Sequence, residues 1–199
     1  AGDRVYMVGH QDGTFPDLGW HVEGEMGGIW NHPIKLMDGF TVAIAMEGSS
    51  YCLDNADTFV NYPFANKHIF SAAAPDLEVQ RLQFSPDGKQ GLVVEFCIVN
   101  TGSGTKTIGF EFTGHTDLMP VWLGERLNWE DHPDQLVFDE AANAWIGKDQ
   151  GNEWWVMFGG DRVAKYAEGP SATSSYNPKG KGAAARLGYE LTLEPNTPQ

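Results

Sequence analysis

Residues 77–113 have the sequence LEVQRLQFSPDGKQGLVVEFCIVNTGSGTKTIGFEFT, and its periodicity predicts three consecutive β-strands. Apolar and polar residues alternate over Leu77–Phe84, but the apolar phase slips after Val79, which predicts a β-bulge. Leu92–Val99 is almost continuously apolar and therefore predicts a strand that is buried on both faces. Thr107–Thr113 alternates without interruption, and turn-forming Pro, Asp and Gly residues separate the three segments. This stretch is expected to form an antiparallel meander.

Short segments of the same kind occur along the rest of the chain, separated by Gly-, Asp- and Asn-rich turns. The further predicted strands are Arg4–Val8, Phe40–Met46, His68–Ala72, Leu136–Phe138, Ala144–Gly147, Glu153–Phe158 and Ala183–Leu193. Small residues on one face of Phe40–Met46 suggest that another layer packs closely there. No long segment combines helical spacing with caps. We therefore predict an all-β fold with little helix, a two-sheet antiparallel β-sandwich in which residues 1–199 form a single domain.

The composition restricts the class of partner. Hydrophobic residues make up 41% of the 199 residues and aromatic residues 12%, which is enough for a sizeable core. The 13 Lys and Arg residues against 27 Asp and Glu residues give a formal net charge of −14. Nucleic acid and anionic membrane surfaces would repel such a chain, so neither is an expected partner. A neutral polar ligand such as a sugar suits this charge better.

The two cysteines and the hydropathy pattern add little. Cys52 and Cys97 do not make a disulfide framework, and Cys97 lies in an apolar strand where a small buried core residue is expected. A disulfide between Cys52 and Cys97 remains an alternative if the protein resides in an oxidising compartment. The chain contains no apolar run long enough to cross a bilayer and does not open with a basic-then-apolar signal.

The segment richest in functional side chains is the N-terminal arm, Gly9–Phe40, GHQDGTFPDLGWHVEGEMGGIWNHPIKLMDGF. Nine of its residues are Gly or Pro, so it is at best an interrupted strand. A long irregular segment that is dense in polar and aromatic side chains is typical of a site or a docking surface. The residues expected to contact a substrate or a partner domain are His10, Asp12, Trp20, His21, Glu25, Trp30, His32 and Asp38, together with Trp129 from the acidic loop 128–134.

Histidines and carboxylates are also the residue types that bind metals or carry out acid–base catalysis. The histidines at 10, 21 and 32 are evenly spaced, but they match no known zinc-ligand spacing and are expected to hydrogen-bond the loop backbone. A structural calcium ion would fit only the acidic loops 54–57 or 128–134. We predict no catalytic residue, metal site or cofactor in this chain.

Paired carboxylates and exposed tryptophans give two further possibilities. Glu23 with Glu25, or Glu125 with Glu130, could flank a glycosidic bond, although the Glu-x-Asp-x-x-Glu strand pattern of sandwich glycanases is absent. Tryptophan rings offer flat faces for sugar rings, but buried tryptophan is most often core. Of the adjacent pair at 154 and 155, one is expected to point inward and one outward.

Two stretches resemble a known family. Residues 9–40 resemble the opening of bacterial glycogen-debranching-like glycosidases, with GHQDGT and GGIWNHPIKL as the distinctive pieces. Residues 82–122, LQFSPDGKQGLVVEFCIVNTGSGTKTIGFEFTGHTDLMPVW, resemble the strand–turn–strand region of that group. In these enzymes an N-terminal β-supersandwich precedes a six-hairpin (α/α)6 barrel, and loops of the barrel carry the general acid and base.

The resemblance implies a non-catalytic N-terminal domain of a larger glycoside hydrolase. Its partner would be the (α/α)6 domain of the same polypeptide, and the N-terminal arm would pack on that domain or line its substrate cleft, with possible contact to an oligo- or polysaccharide. Because this chain has no helical repeats, the catalytic residues of the group have no counterpart in it. The alternatives are a free-standing carbohydrate-binding module and a small β-sandwich glycanase that uses two of the carboxylates.

Overall fold

The computed structural model describes residues 2–17, 26–176 and 180–199, without the side chains of 72, 73, 122, 123 and 125. The regular secondary structure of the described part is β-strand, apart from one 3-10 helix at Trp122–Leu127. The strands are β1 Tyr6–Val8, β2 Gly28–Asn31, β3 Ile34–Met46, β4 Ser49–Cys52, β5 Thr58–Asn61, β6 Ala65–Ala74, β7 Leu77–Phe84, β8 Val93–Asn100, β9 Lys106–Pro120, β10 Asp134–Asp139, β11 Ala144–Asp149, β12 Trp155–Gly159, β13 Lys165–Glu168 and β14 Ala184–Leu193.

These strands form three antiparallel sheets. The large sheet has seven strands in the order β1-β2-β3-β9-β14-β13, with β4 also paired to β3. A four-stranded sheet has the order β5-β6-β7-β8, and a three-stranded sheet has the order β10-β11-β12. None of the described helices is long and apolar enough to span a bilayer. The predicted all-β, antiparallel fold is confirmed.

Both smaller sheets pack on the same face of the large sheet, which gives a two-layer sandwich. Phe96 of β8 contacts Phe110 of β9 at a ring-centroid distance of 5.0 Å. Phe158 of β12 lies 6.3 Å from Phe112, which is two residues further along β9 and therefore on the same face. The large sheet is thus one layer, and the four- and three-stranded sheets together form the other.

The alternation of β14 explains how one strand serves both halves of the core. Leu193 belongs to the main cluster under the four-stranded sheet, and Ala185 and Leu187 belong to a second cluster under the three-stranded sheet. These are alternate positions, as predicted for this strand, so one continuous apolar face spans both clusters. The apolar face of β14 therefore ties the two halves of the second layer to the large sheet.

The β-bulge predicted in Leu77–Phe84 is wrong, because strand β7 is regular. Its pairing with β8 runs without a register shift, and Leu77, Val79, Arg81 and Gln83 all face the core. The apparent phase slip arises because Arg81 and Gln83 occupy inward positions while Leu82 and Phe84 are half-buried on the other face. The sequence pattern was broken by buried polar residues, and the backbone remains regular.

Two further expectations for residues 77–113 are wrong. Strand β8 is an edge strand with one packed face, on which Ile98 is buried, whereas Val93 on the opposite face is exposed. Strand β9 pairs with β3 and β14 in the large sheet and has no pairing with β8. The turn at 101–105 therefore crosses from one layer to the other, and only β7 and β8 form a hairpin.

The layer expected over the small residues of β3 is a loop. Ser171 donates a hydrogen bond to Glu111 of β9 at 2.5 Å, and Thr173 bonds Ser50 of β4 at 3.0 Å. Residues 170–176 thus lie across the outer face of the large sheet.

Strands β4, β5 and β13 were not predicted, because their sequences are polar or mixed. Both cysteines are free thiols.

Candidate functional site

The first part of the N-terminal arm is held against the four-stranded sheet by the buried side chain of Arg81. The guanidinium lies between the rings of Phe40 and Phe70, 5.1 and 5.7 Å from their centroids. Its Nη2 donates to the carbonyl oxygen of Gly13 at 3.0 Å and lies 3.4 Å from Nδ1 of His68. Burial lowers the pKa of Arg81 to about 10, so the side chain is charged at neutral pH. A cation from β7 therefore anchors the arm from inside the protein.

His68 and Asp12 complete this anchor. Nε2 of His68 lies 3.2 Å from the carbonyl oxygen of His10, and burial together with the nearby Arg81 lowers the pKa of His68 to about 4. Asp12 accepts hydrogen bonds from the backbone and hydroxyl of Thr14. Burial raises the pKa of Asp12, but these bonds and the neighbouring histidines outweigh it, and the pKa lies below its usual value. The polar groups of residues 10–14 thus hold the path of the arm.

We expect Arg81→Met to lower the free energy of unfolding by about 1 to 3 kcal/mol, because methionine keeps the apolar contact with the two rings but leaves the Gly13 carbonyl without its donor. Urea unfolding measures the loss, and amide hydrogen exchange should show faster exchange for residues 10–14 than in the parent protein. The exposed Arg4→Met is the control. Equal exchange of residues 10–14 in both variants would contradict the anchor.

The second part of the arm carries a buried ion cluster. Lys35 and Asp38 of β3 form an ion pair, and Nζ of Lys35 lies 2.9 Å from Oδ2 of Asp117 on β9. Burial lowers the pKa of Lys35, but Asp117 and Asp38 outweigh it and raise the pKa above its usual value. The hydroxyl of Tyr176 donates to the backbone carbonyl of Asp38 at 3.3 Å. These contacts make the arm part of the sandwich.

The predicted contact residues therefore separate into three groups. Those that reach the surface are His10, Asp12 and His32, and Trp129 is half-buried. Those that are buried are Trp30 and Asp38. Trp20, His21 and Glu25 lie outside the described residues.

The two buried residues correct the expectation of direct contact. Trp30 is 2% exposed, stacks on Tyr6 at 6.4 Å, and donates from Nε1 to the Gly27 carbonyl at 3.0 Å. Asp38 is paired with Lys35. Within this chain both side chains are already used by the fold, so they offer no surface to a ligand.

Metal and paired-carboxylate sites have no support among the described residues. No group of three or more His, Cys, Asp or Glu side chains in the described ranges is placed to hold a metal ion. Of the proposed catalytic pairs, Glu23 and Glu25 lie outside the described residues, as does the side chain of Glu125. Glu130 is exposed, and its carbonyl oxygen accepts from Asn152.

Two surfaces that were not predicted from the sequence are better candidates for contact with a partner or a ligand. The first is the outer apolar face, the side of the three-stranded sheet that points away from the core. Its exposed members are Val137, Trp155 and Met157, with exposed fractions of 59%, 52% and 64%, and Ile146 is half-buried between them. Val137, Ile146 and Met157 are direct register partners across the three strands. Three adjacent strands therefore present a continuous apolar strip.

The ammonium group of Lys148 lies over the exposed tryptophan ring of this face. Nζ of Lys148 lies 4.7 Å from the centroid of the Trp155 ring and 2.9 Å from Glu153. Trp154 packs toward the core, as one member of the Trp pair was expected to do, and lies 6.1 Å from Trp129. The period-two placement of Val137, Trp155 and Met157 opposite the core positions could have revealed this face from the sequence.

The second surface is the hairpin pocket, a cavity of about 210 Å³ between β1, the β5–β6 turn and the end of β7. Tyr62 and Phe64 in the turn stack on each other with ring centroids 6.2 Å apart. Tyr6, Asn66 and Gln83 also line it. The sequence hint was a pair of aromatic residues on either side of Pro63 in a short turn between two strands.

Comparison with protein-family models and with curated proteins gives no match to this chain.

Proposed function

We propose that this chain is a non-catalytic domain of a larger carbohydrate-active enzyme and that it packs on a helical catalytic domain through the outer apolar face. The observation that carries the proposal is the exposure of Val137 on β10 and of Trp155 and Met157 on β12, with the half-buried Ile146 of β11 between them. Contiguous exposed apolar side chains mark interaction surfaces, and aromatic residues and methionine are enriched at the centres of interfaces. The docking surface assigned here differs from the N-terminal arm, in which Trp30 and Asp38 are buried.

The charge around this face specifies the partner further. Asp139 and Glu140 lie at one end of the strip, in the β10–β11 turn region, and the 82%-exposed carboxylate of Glu153 lies at the other. Lys148 is held over Trp155 near the centre. A partner surface with an apolar centre and basic residues at its edge would complement this arrangement, which also fits the net charge of −14.

The carbohydrate part of the proposal is supported by the resemblance of residues 9–40 and 82–122 to glycogen-debranching-like glycosidases and by the acidic composition. A helical barrel of the kind found in that group would supply the catalytic acid and base. This chain would supply the all-β domain on which such a barrel packs.

We expect the natural polypeptide to protect the outer apolar face from solvent. Amide hydrogen exchange of residues 153–160 should be at least about 10-fold slower in the natural polypeptide than in the 199-residue chain alone. The double variant Trp155→Ser/Met157→Ser should remove that difference. It should change the unfolding free energy of the isolated chain by less than about 0.5 kcal/mol, because both side chains are exposed.

Val163→Ser is the matched control, since Val163 is 91% exposed and lies outside the strip. Equal exchange of residues 153–160 in both proteins would contradict docking through this face.

Reducing-sugar release from α- and β-glucans tests the carbohydrate part of the proposal: the natural polypeptide should be active and the isolated chain inactive. Hydrolysis by the isolated chain would instead favour the glycanase.

A further inference from the structure

One wall of the hairpin pocket is formed by aromatic rings that are exposed and lie outside the hydrophobic core. Tyr62, Pro63 and Phe64 connect β5 to β6, and the backbone N–H of Tyr62 donates to the carbonyl of Ala65 at 2.8 Å. The Phe64 ring is 72% exposed and the Tyr62 ring 37% exposed, with their planes 22° apart. Turns favour small polar residues, so two stacked aromatic rings at the tip of a hairpin indicate a contact surface.

The lining of the pocket is uncharged. Tyrosines, amides, Phe, Pro, Met, Leu, Ala and Ser line it, and no Asp, Glu, Lys, Arg or His does so. This is notable in a chain with 40 charged side chains, the sum of 13 basic and 27 acidic residues. An anionic or cationic ligand would find no opposite charge to offset its loss of water, so the pocket suits a neutral ligand.

One polar atom in the lining of the pocket, Oε1 of Gln83, is left for a ligand. Asn66 and Gln83 are register partners on β6 and β7, and Nε2 of Gln83 donates to Oδ1 of Asn66 at 2.7 Å. The Oε1 atom of Gln83 is buried and has no hydrogen-bond partner in the described part of the chain. A buried amide oxygen without a donor is costly, and a hydroxyl group placed there would satisfy it.

The pocket is supported from behind by the core. The Tyr6 ring stacks on the buried ring of Trp30, with an angle of 5° between them, and burial raises the pKa of the Tyr6 hydroxyl. The aromatic side of the pocket is therefore backed by Trp30, one of the residues first expected to contact a ligand directly. Such backing fixes the ring before a ligand arrives and lowers the entropy cost of binding.

We propose that the hairpin pocket binds a single neutral hexopyranose unit of a glycan. The ring of such a sugar presents apolar C–H groups, which would pack on Phe64 and Tyr62, and equatorial hydroxyls, one of which would donate to Oε1 of Gln83. The volume of about 210 Å³ lies below the range of roughly 300 to 1,000 Å³ typical of larger ligands, which matches one ring. This site lies on different strands from the outer apolar face and does not depend on docking.

The test is a titration of the ¹⁵N-labelled 199-residue chain with methyl α-glucoside, maltotriose and cellotriose, followed by the side-chain amide resonances of Asn66 and Gln83. We expect saturable shifts of these resonances with at least one probe, with a Kd on the order of 1 mM. Phe64→Ala should weaken that binding by about 10-fold or more, because it removes the most exposed ring. Glucuronate and glucosamine, which are charged analogues, should bind more weakly than the neutral sugar.

Trp155→Ala is the matched control, because it removes an exposed aromatic ring from a different surface. It should leave the affinity unchanged. The proposal is overturned if none of the three probes shifts Asn66 or Gln83, if Trp155→Ala and not Phe64→Ala abolishes binding, or if glucuronate binds as well as the neutral sugars. None of these results bears on the exchange of residues 153–160, so failure of this site is distinguishable from failure of the docking proposal.

Discussion

Replacing Lys35 with methionine is expected to lower the free energy of unfolding by about 3 to 5 kcal/mol, which is a large part of the total stability of a domain. The side chain of Lys35 is fully buried, as is that of Asp117. Removing the cation would leave the carboxylates of Asp38 and Asp117 inside the protein without its charge. Methionine fills the same volume, so the expected loss is electrostatic and not a cavity effect.

The geometry of β3 explains why these groups meet. Residues three apart on a regular strand point to opposite faces, yet Lys35 and Asp38 form an ion pair. The pairing of β3 with β9 shifts register twice, between Lys35 and Met37 and between Met37 and Gly39. These irregularities turn both side chains to the same side. Gly39 has a φ of 146°, and a side chain there would collide with the ring of Phe15.

Urea unfolding of two variants isolates the buried charge. Lys106→Met removes a lysine that pairs with the exposed Asp76 at 3.3 Å, and it should cost less than about 1 kcal/mol. The triple variant Lys35→Met/Asp38→Asn/Asp117→Asn should recover part of the loss seen in Lys35→Met, because the lysine and both carboxylates lose their charges together. If Lys35→Met costs no more than Lys106→Met, the cluster does not stabilise the fold as described.

The all-β class could be predicted because alternation survives wherever a strand has one apolar face. The predicted strands Ala183–Leu193 and Thr107–Thr113 show this, since both alternate in the sequence and both coincide with parts of observed strands, β14 and β9. The same reasoning failed at β7, where the inward positions 81 and 83 are polar. A hydropathy pattern cannot distinguish a bulge from a regular strand that buries an arginine between two aromatic rings.

The candidate site could be predicted less well, because long-range pairing decides which polar residues are free. Lys35 and Asp117 are 82 positions apart, and nothing local indicates that Asp38 is occupied by an ion pair. Trp30 was expected at the surface because its neighbours are polar and glycine-rich, yet it is covered by Tyr6. Phe64 precedes the predicted strand His68–Ala72, and no contact role was predicted for it. Its exposure depends on the register of β5 with β6.

The stability of the protein is expected to fall as the pH is lowered from 6.5 to about 4. Burial lowers the pKa of His115 from 6.5 to about 4, and burial with Arg81 does the same for His68. In the unfolded chain both histidines bind a proton below about pH 6.5. The folded state stays neutral at these positions until about pH 4, so acid favours the unfolded state over this interval. Above pH 6.5 this contribution to stability is fully present.

Each histidine should contribute roughly 2 to 3 kcal/mol to this loss, so the pair gives an effect comparable to the Lys35 variant. Most carboxylates titrate lower, below about pH 4.5, which leaves the interval from pH 6.5 to 5 mainly to histidine. Burial raises the pKa of Asp134, and its protonation acts in the opposite direction by favouring the folded state. The free energy of unfolding should therefore still increase with pH between pH 5 and 6.5.

His115→Phe separates the two histidines. The ring of His115 packs edge-on against Tyr176 at 4.8 Å, and its nitrogens have no hydrogen-bond partner among the described residues. Phenylalanine keeps the ring contact and removes the two buried polar atoms, so the variant should be as stable as the parent or more stable at pH 7. Urea midpoints measured from pH 7 to 5 should then show about half the parental loss. The exposed His32→Gln should retain the full loss, and an unchanged curve for His115→Phe would show that the acid sensitivity has another source.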